Sequence, residues 1–370
     1  MLKILSNTSN ISQNFNLAHY RYNRVYLRHD NLKGKYKLNK ERNSNIELLR
    51  IISMVMIVAH HLAIHSTWTF DPGFSVNKFT IEVLSSLGKI GVNIYFMITG
   101  YYMIQSHKSQ TTKIKKIWLQ VLFYSLTILC LFLLLHQHVS MHFLIFSLFP
   151  VFSGLYWFAT VYIIILLFLP FINNFLNSLS KESFLKLLLL SSVVFLFVPT
   201  FFIHNSAINI TIIALLAYSY GAFFQRFDLP TIILSKMNII ALFSVLAVTF
   251  SILLFEIISS KIIGLNGKEA ILFTTPQSFV AMIFAVYIFN FFKQKKPFTL
   301  KIINTMSATS FGVYLIHDNG LIREYLWNSL NLTQYLQSVL FIPLVFIIIL
   351  TIYICCSLID LCRNFIFNMF

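Results

Sequence analysis

Residues 45–61 read NIELLRIISMVMIVAHH, and the reading of this stretch decides the fold. It opens an apolar run about 20 residues long, enough to cross a bilayer as a helix. Glu47, Arg50 and the pair His60–His61 lie within or against that run. Each is costly in hydrocarbon, about 2.5–3.5 kcal/mol for Arg on insertion scales, so a helix that served only as an anchor has no need of them. Arg50 and His61 stand eleven residues apart. At about 100° per residue that is about 20° past three full turns, with a rise of roughly 16 Å. The two side chains therefore share one face at different depths, and His60 points well away from it.

Working outward, 57% of the 370 residues are hydrophobic and 11% are charged, against about 25% charged in a soluble domain. Mean hydropathy is +0.76. These values predict an all-α, polytopic membrane helix bundle. Ten apolar segments can be drawn: 46–65, 79–104, 117–135, 155–176, 184–203, 207–224, 237–258, 271–292, 303–322 and 338–361. The stretch 140–153 is apolar but short, an interfacial or re-entrant piece or the head of the fourth span. Residues 1–44 are polar and basic and lack the apolar centre of a signal peptide. They read as a disordered cytoplasmic extension ahead of a transmembrane domain at 45–365. Lys33, Lys35, Lys37, Lys40 and Arg42 lie just before the first span, where they suit contact with anionic membrane lipid.

The net charge of +16 would suit nucleic acid, but topology accounts for it more simply. With the N-terminus inside, 22 Lys/Arg fall in cytoplasmic segments and four fall outside. That is a strong positive-inside bias, and it places both termini in the cytoplasm. No nucleic-acid partner is expected. Cys130, Cys355, Cys356 and Cys362 lack the spacing of a zinc or redox site, and no metal is expected. The orientation puts Arg50 near the cytoplasmic face and His61 in the outer half.

Five stretches, taken in order, resemble signatures of the acyltransferase-3 family of integral membrane acyltransferases, which modify bacterial cell-surface polysaccharides. The first is residues 45–50 with His61. The second is residues 91–101, GVNIYFMITGY, where Thr99 stands in place of the family's commoner Ser. The third is the basic cluster after that span, with Lys113 and Lys116 where the family has paired arginines. The fourth is residues 154–162, GLYWFATVY, and the last is residues 310–317, SFGVYLIH. The resemblance covers most of the chain from about residue 43 onward. It implies a bacterial plasma-membrane enzyme that moves an acyl group, usually acetyl from acetyl-CoA, to a hydroxyl of a polysaccharide or lipid-linked glycan. It also implies that Arg50 and His61 are the functional pair.

The residues suit that chemistry. A sugar hydroxyl is a poor nucleophile, and a neutral imidazole can take its proton as it attacks a thioester; His61 is the expected base. Arg50 either binds a CoA phosphate or holds Glu47 three residues away, and the two roles can coexist. Lys113 and Lys116 are expected to help on phosphate, although Lys offers a point charge rather than the bidentate fork of Arg. Glu47, Asn93, Trp157 and His317 complete the expected substrate site, with Lys89 one turn before Asn93 on the same cavity. Trp157 fits sugar stacking or an ordinary interfacial aromatic, and His317–Asp318 fits acceptor binding, orientation of a base, or a capped helix end. The alternative is a transporter or flippase of a polysaccharide precursor, which intramembrane Arg and His also suit. No internal repeat is visible to support it.

Overall fold

Asn43 starts the first helix by accepting the backbone N–H of Asn45 on its side chain (3.1 Å), as residues at a helix start do. Helix α1 then runs Ser44–His65, and Ser66 ends it by returning to extended backbone while donating its N–H to Leu62 O (3.3 Å). In this computed structural model the described residues are 42–71, 74–202, 210–261 and 278–367. The basic extension read in residues 1–44 lies, as far as residue 41, outside them. Arg42 to Ser44 already belong to the ordered start of α1. Ser44 N–H donates to Phe298 O (2.9 Å), and Ser44 Oγ accepts from Leu300 N–H (2.8 Å). Asn45 Nδ2 donates to the carbonyls of Lys295 (3.2 Å) and Lys296 (2.9 Å).

The remaining helices are α2 (Val76–Met103), α3 (Thr111–Leu134), α4 (Met141–Leu148), α5 (Trp157–Ser178) and α6 (Lys181–Ser192). A π-helical turn, Val193–Phe197, joins α6 to α7 (Val198–Phe202). Then come α8 (Ile210–Arg226), α9 (Thr231–Lys261), α10 (Phe279–Gln294), α11 (Lys301–His317), α12 (Gly320–Ser329) and α13 (Phe341–Phe367). No strand occurs among the described residues. Among the described residues each of the ten apolar segments contains helix, with 203, 207–209 and 271–277 outside them, and the short stretch at 140–153 holds the eight-residue α4.

Seven of these stretches are long and apolar enough to cross a membrane: α1, α2, α3, α5, the run Lys181–Thr200, α9 through Leu254, and α13. Of the other three expected spans, α10 and α11 are 16 and 17 residues long, and α8 is described from Ile210 onward. The difference has a packing reason. α11 lies against α1 and α13, so neighbouring helices rather than lipid cover much of its surface. The core is centred on α2, 72% of whose most apolar window is buried, against 22% for α9. Phe168, Phe171, Phe175, Phe243 and Ile347 are exposed on the periphery, as expected of a surface that faces acyl chains.

Small residues allow the central helices to touch. A Cβ on Gly100 would collide with Tyr218 O, and one on Gly221 with Met97 O, so α2 and α8 cross backbone to backbone. A Cβ on Gly91 would come within 2.6 Å of Ser53 O, and one on Gly88 would strike the ring of His60. Buried polar groups tie the rest. Asn173 Nδ2 of α5 donates to Met103 O and Ser106 O (both 2.7 Å) at the end of α2. Asp360 of α13 is fully buried and accepts from Tyr124 OH (2.7 Å), Gln120 Nε2 (3.2 Å), Arg363 Nε (2.8 Å) and Asn364 Nδ2 (3.2 Å). Such saturation is what makes a buried carboxylate tolerable.

The α2–α8 crossing makes a direct prediction. Gly100→Leu and Gly221→Leu should each lower the thermal midpoint of the detergent-solubilised protein, at an overpacking cost of about 1–3 kcal/mol or more. Phe171→Ala on the outer surface should leave the midpoint little changed.

Candidate active site

Two polar clusters sit at opposite ends of α1. At the first, Glu47 is 4% exposed, and its Oε2 accepts from the hydroxyl of Ser307 on α11. Arg50 Nε lies 3.4 Å from the same oxygen without hydrogen-bond geometry, and it is buried with no hydrogen-bond partner. Asn93 on α2 is buried too, and its Nδ2 also has no partner. After α2 the chain turns through an open polar pocket lined by Gln105, His107, Lys108, Lys113 and Lys116. There Lys113 Nζ reaches Met103 Sδ (3.0 Å) and lies 5.5 Å from the ring centre of Tyr162.

At the second end, His60, His61 and His65 of α1 line a cavity with Lys89 of α2, Trp157 of α5 and Arg323 of α12. Its far wall forms where α11 ends. His317 is the last residue of α11, and Asp318 caps it with its N–H on Tyr314 O (3.2 Å). Asn319 then starts α12 by accepting Leu321 N–H (3.0 Å) on its side chain. One turn later Arg323 Nη1 comes back over Asp318 Oδ1 at 3.4 Å. Behind this bend Tyr156 is fully buried, donating to Leu315 O (3.1 Å) and accepting from Asn319 Nδ2 (2.6 Å).

The hydrogen bonds fix how the histidines share protons. His317 Nδ1 is 2.6 Å from Val313 O. A carbonyl can only accept, so that nitrogen carries the proton and His317 Nε2 is left as an acceptor. His61 Nδ1 lies 2.9 Å from His317 Nε2 and 3.6 Å from Asp318 Oδ1, and must be the donor. The neutral His61 therefore bears its hydrogen on Nδ1 and its lone pair on Nε2, which has no hydrogen-bond partner among the described residues. The same reasoning applies to His60, whose Nδ1 faces Ser85 O at 2.5 Å.

The structure thus gathers His61, Trp157 and His317 of the expected residues at one end and Glu47 with Arg50 at the other. Lys113 and Lys116 line a separate polar pocket, and Asn93 lies off the His61 cavity. His317 is completely buried behind His61, with both ring nitrogens engaged. His60, expected to point elsewhere, also lines the cavity, because Gly88 leaves room for its ring. Sequence reasoning passed over His65, although it stands four residues after His61 on the same face. It also passed over Arg323, which becomes a neighbour only through the bend at Asp318–Asn319. Among the described residues His61, His65 and Asp318 place one possible metal-ligand atom each within 4.8 Å of one another. In that set, Arg323 already shares the Asp318 oxygen and His317 faces the His61 nitrogen.

A bundle of apolar helices that holds a histidine–carboxylate cluster in an internal cavity defines a multi-pass membrane protein with an enzyme-like site. The model of the acyltransferase domain of the acyltransferase-3 family matches residues 43–360, and the chain belongs to that family of membrane acyltransferases. No curated protein and no solved structure matches the chain. The family match favours the enzyme over the transporter alternative.

The cluster at Glu47 also makes a prediction. Ser307→Ala leaves a buried carboxylate oxygen without its donor and should cost about 1–3 kcal/mol of stability. In denaturation measurements the pair Ser307→Ala, Glu47→Gln should be coupled, with the double variant less destabilised than the sum of the two singles.

Proposed function

We propose that the protein transfers an acyl group, acetyl in the first instance, from acyl-CoA to a hydroxyl of a cell-surface polysaccharide or its lipid-linked precursor, in a bacterial plasma membrane. The observation that carries this reading is the pairing of His61 with His317. It leaves the unprotonated Nε2 of His61 as the available base in a cavity lined by residues of α1, α2, α5, α11 and α12. In the step envisaged, the acceptor hydroxyl gives its proton to His61 Nε2 as its oxygen attacks the thioester carbonyl. The tetrahedral intermediate then collapses, the C–S bond breaks, and the CoA thiolate takes the proton back from the imidazolium. Asp318, 3.6 Å from His61 Nδ1, faces the side of the ring that becomes positive and favours that state.

The donor is assigned to the Arg50 end. Most Lys and Arg residues outside the spans lie on that side of the ten-segment map, which supports a cytoplasmic position. Lys113 and Lys116 offer charge for CoA phosphates, while Arg50 Nε and Asn93 Nδ2 are buried donors without hydrogen-bond partners. The pantetheine arm, extended, is long enough to cover the roughly 16 Å of helix rise from Arg50 to His61. Trp157, and Glu47 through Arg50, complete the assignment on the acceptor and donor sides.

His61→Ala should reduce acyl transfer from labelled acetyl-CoA by about 10²–10⁴-fold in purified protein, with acyl-CoA binding retained. Equal activity in the two proteins would remove His61 as base. His317→Leu should lower kcat with little change in KM for either substrate, because His317 acts on His61 rather than on a ligand. Arg50→Lys should keep the fold and weaken acyl-CoA binding; unchanged binding would leave Arg50 a structural partner of Glu47 alone.

A further inference from the structure

The cavity at the His61 end holds a cation that the reaction above does not use. Lys89 lies midway along the 28-residue helix α2, a costly place for an ammonium group in a membrane-spanning segment. Its Nζ has no hydrogen-bond or ion-pair partner among the described residues. Asp318, the carboxylate on the cavity wall, is not within ion-pair distance of Lys89 and is engaged by Arg323 (3.4 Å) and His61 (3.6 Å). The aromatic neighbour of Lys89 is Trp157, whose ring centre is 6.0 Å from Nζ, at the outer limit of a useful cation–π contact. The walls therefore carry two cations and one carboxylate, and the carboxylate is already shared.

A cation whose nearest carboxylate is beyond ion-pair distance and already shared with Arg323 and His61 is incompletely balanced by the protein, and a ligand that brings a further negative charge relieves it. An acetyl group and the pantetheine arm are neutral, since the phosphates of CoA lie at its other end. The oxyanion of the tetrahedral intermediate is transient, so the negative charge that meets Lys89 at the binding stage is that of the acceptor. Resting on the acyltransferase reading for the word acceptor, we propose that Lys89 is an anion-binding, specificity-determining residue, and that the glycan acylated carries a carboxylate or phosphate beside the reacting sugar. The sugar ring lies against the flat apolar face of Trp157, the anion meets Lys89, and the hydroxyl to be acylated faces His61.

The test measures binding to the full chain in lipid nanodiscs by calorimetry. The probes are a glucuronate-containing oligosaccharide, the same oligosaccharide with its carboxyl groups reduced to alcohols, and a glycosyl-phosphate oligomer. Wild type should bind at least one acidic probe about ten-fold or more tighter than the neutral one, a gain typical of one added charge pairing in a partly desolvated site. Whichever acidic probe is preferred identifies the anion as carboxylate or phosphate. Lys89→Met should bring the acidic-to-neutral ratio close to one, and Lys89→Arg should preserve it. Equal wild-type affinity for acidic and neutral probes, an acidic preference that survives in Lys89→Met, or no binding of any probe would each overturn the proposal. Acyl transfer to the same oligosaccharides is followed separately. Selective binding without transfer would sink the acyltransferase reading and leave the anion subsite standing, whereas transfer without acidic preference would do the reverse.

Discussion

A helix that carries Glu47, Arg50, His60 and His61 through hydrocarbon must find partners for them inside the protein, because lipid supplies none. The architecture follows from that requirement. α11 runs alongside α1 in the same direction and meets it at both ends, through Ser307 on Glu47 and through His317 on His61. α2 runs the opposite way, fills the other flank, and accepts the His60 proton on Ser85 O. These contacts need close approach, and the glycines at 88 and 91 allow α2 to come near enough to provide it. The polar groups of α1 thus select its neighbours, and the lipid-facing helices such as α9 add apolar cover around the result.

The two clusters differ in how completely they are satisfied, and the difference separates structure from chemistry. Asp360, with four side chains donating to it, is closed and has nothing left to offer a ligand. The His61 cluster is half closed. One nitrogen of the ring is held, and the other has no partner among the described residues. Orientation by a hydrogen-bonded neighbour is the general way in which a histidine is kept in one tautomer for proton transfer. Here that neighbour is another histidine, itself fixed by a backbone carbonyl one helical turn back.

Much of this was legible in the sequence. The apolar runs gave the helices, since hydropathy over 20 residues survives any arrangement of the bundle. Helical periodicity placed Arg50 and His61 on one side of α1. The motif at 310–317 marked His317, and Trp157, read as a sugar-stacking or interfacial aromatic, lines the cavity. What was not legible depends on contacts between distant parts of the chain. That His60 joins the cavity depends on a glycine in another helix. That Arg323 guards Asp318 depends on the sharp exchange of α11 for α12 at two residues. Segment 303–322 looked like a full span because its composition is apolar, yet α11 ends at His317 and the chain turns into α12.

The stitching at the start of α1 has a consequence for the other end of the molecule. Ser44 and Asn45 are bonded to the carbonyls and amides of residues 295–300, and α11 begins directly after that loop. The two parallel helices therefore share a common zero mark. Every residue counted from it advances about 1.5 Å and turns about 100°, so α1 works as a graduated ruler whose fourteenth division past Glu47 is His61. A single residue gained or lost between Asn45 and His61 would leave the helix and its hydropathy almost unchanged. It would nevertheless swing the imidazole about a quarter turn away from His317. The number of residues in this stretch, and not only their kinds, is thus a constraint written into the site.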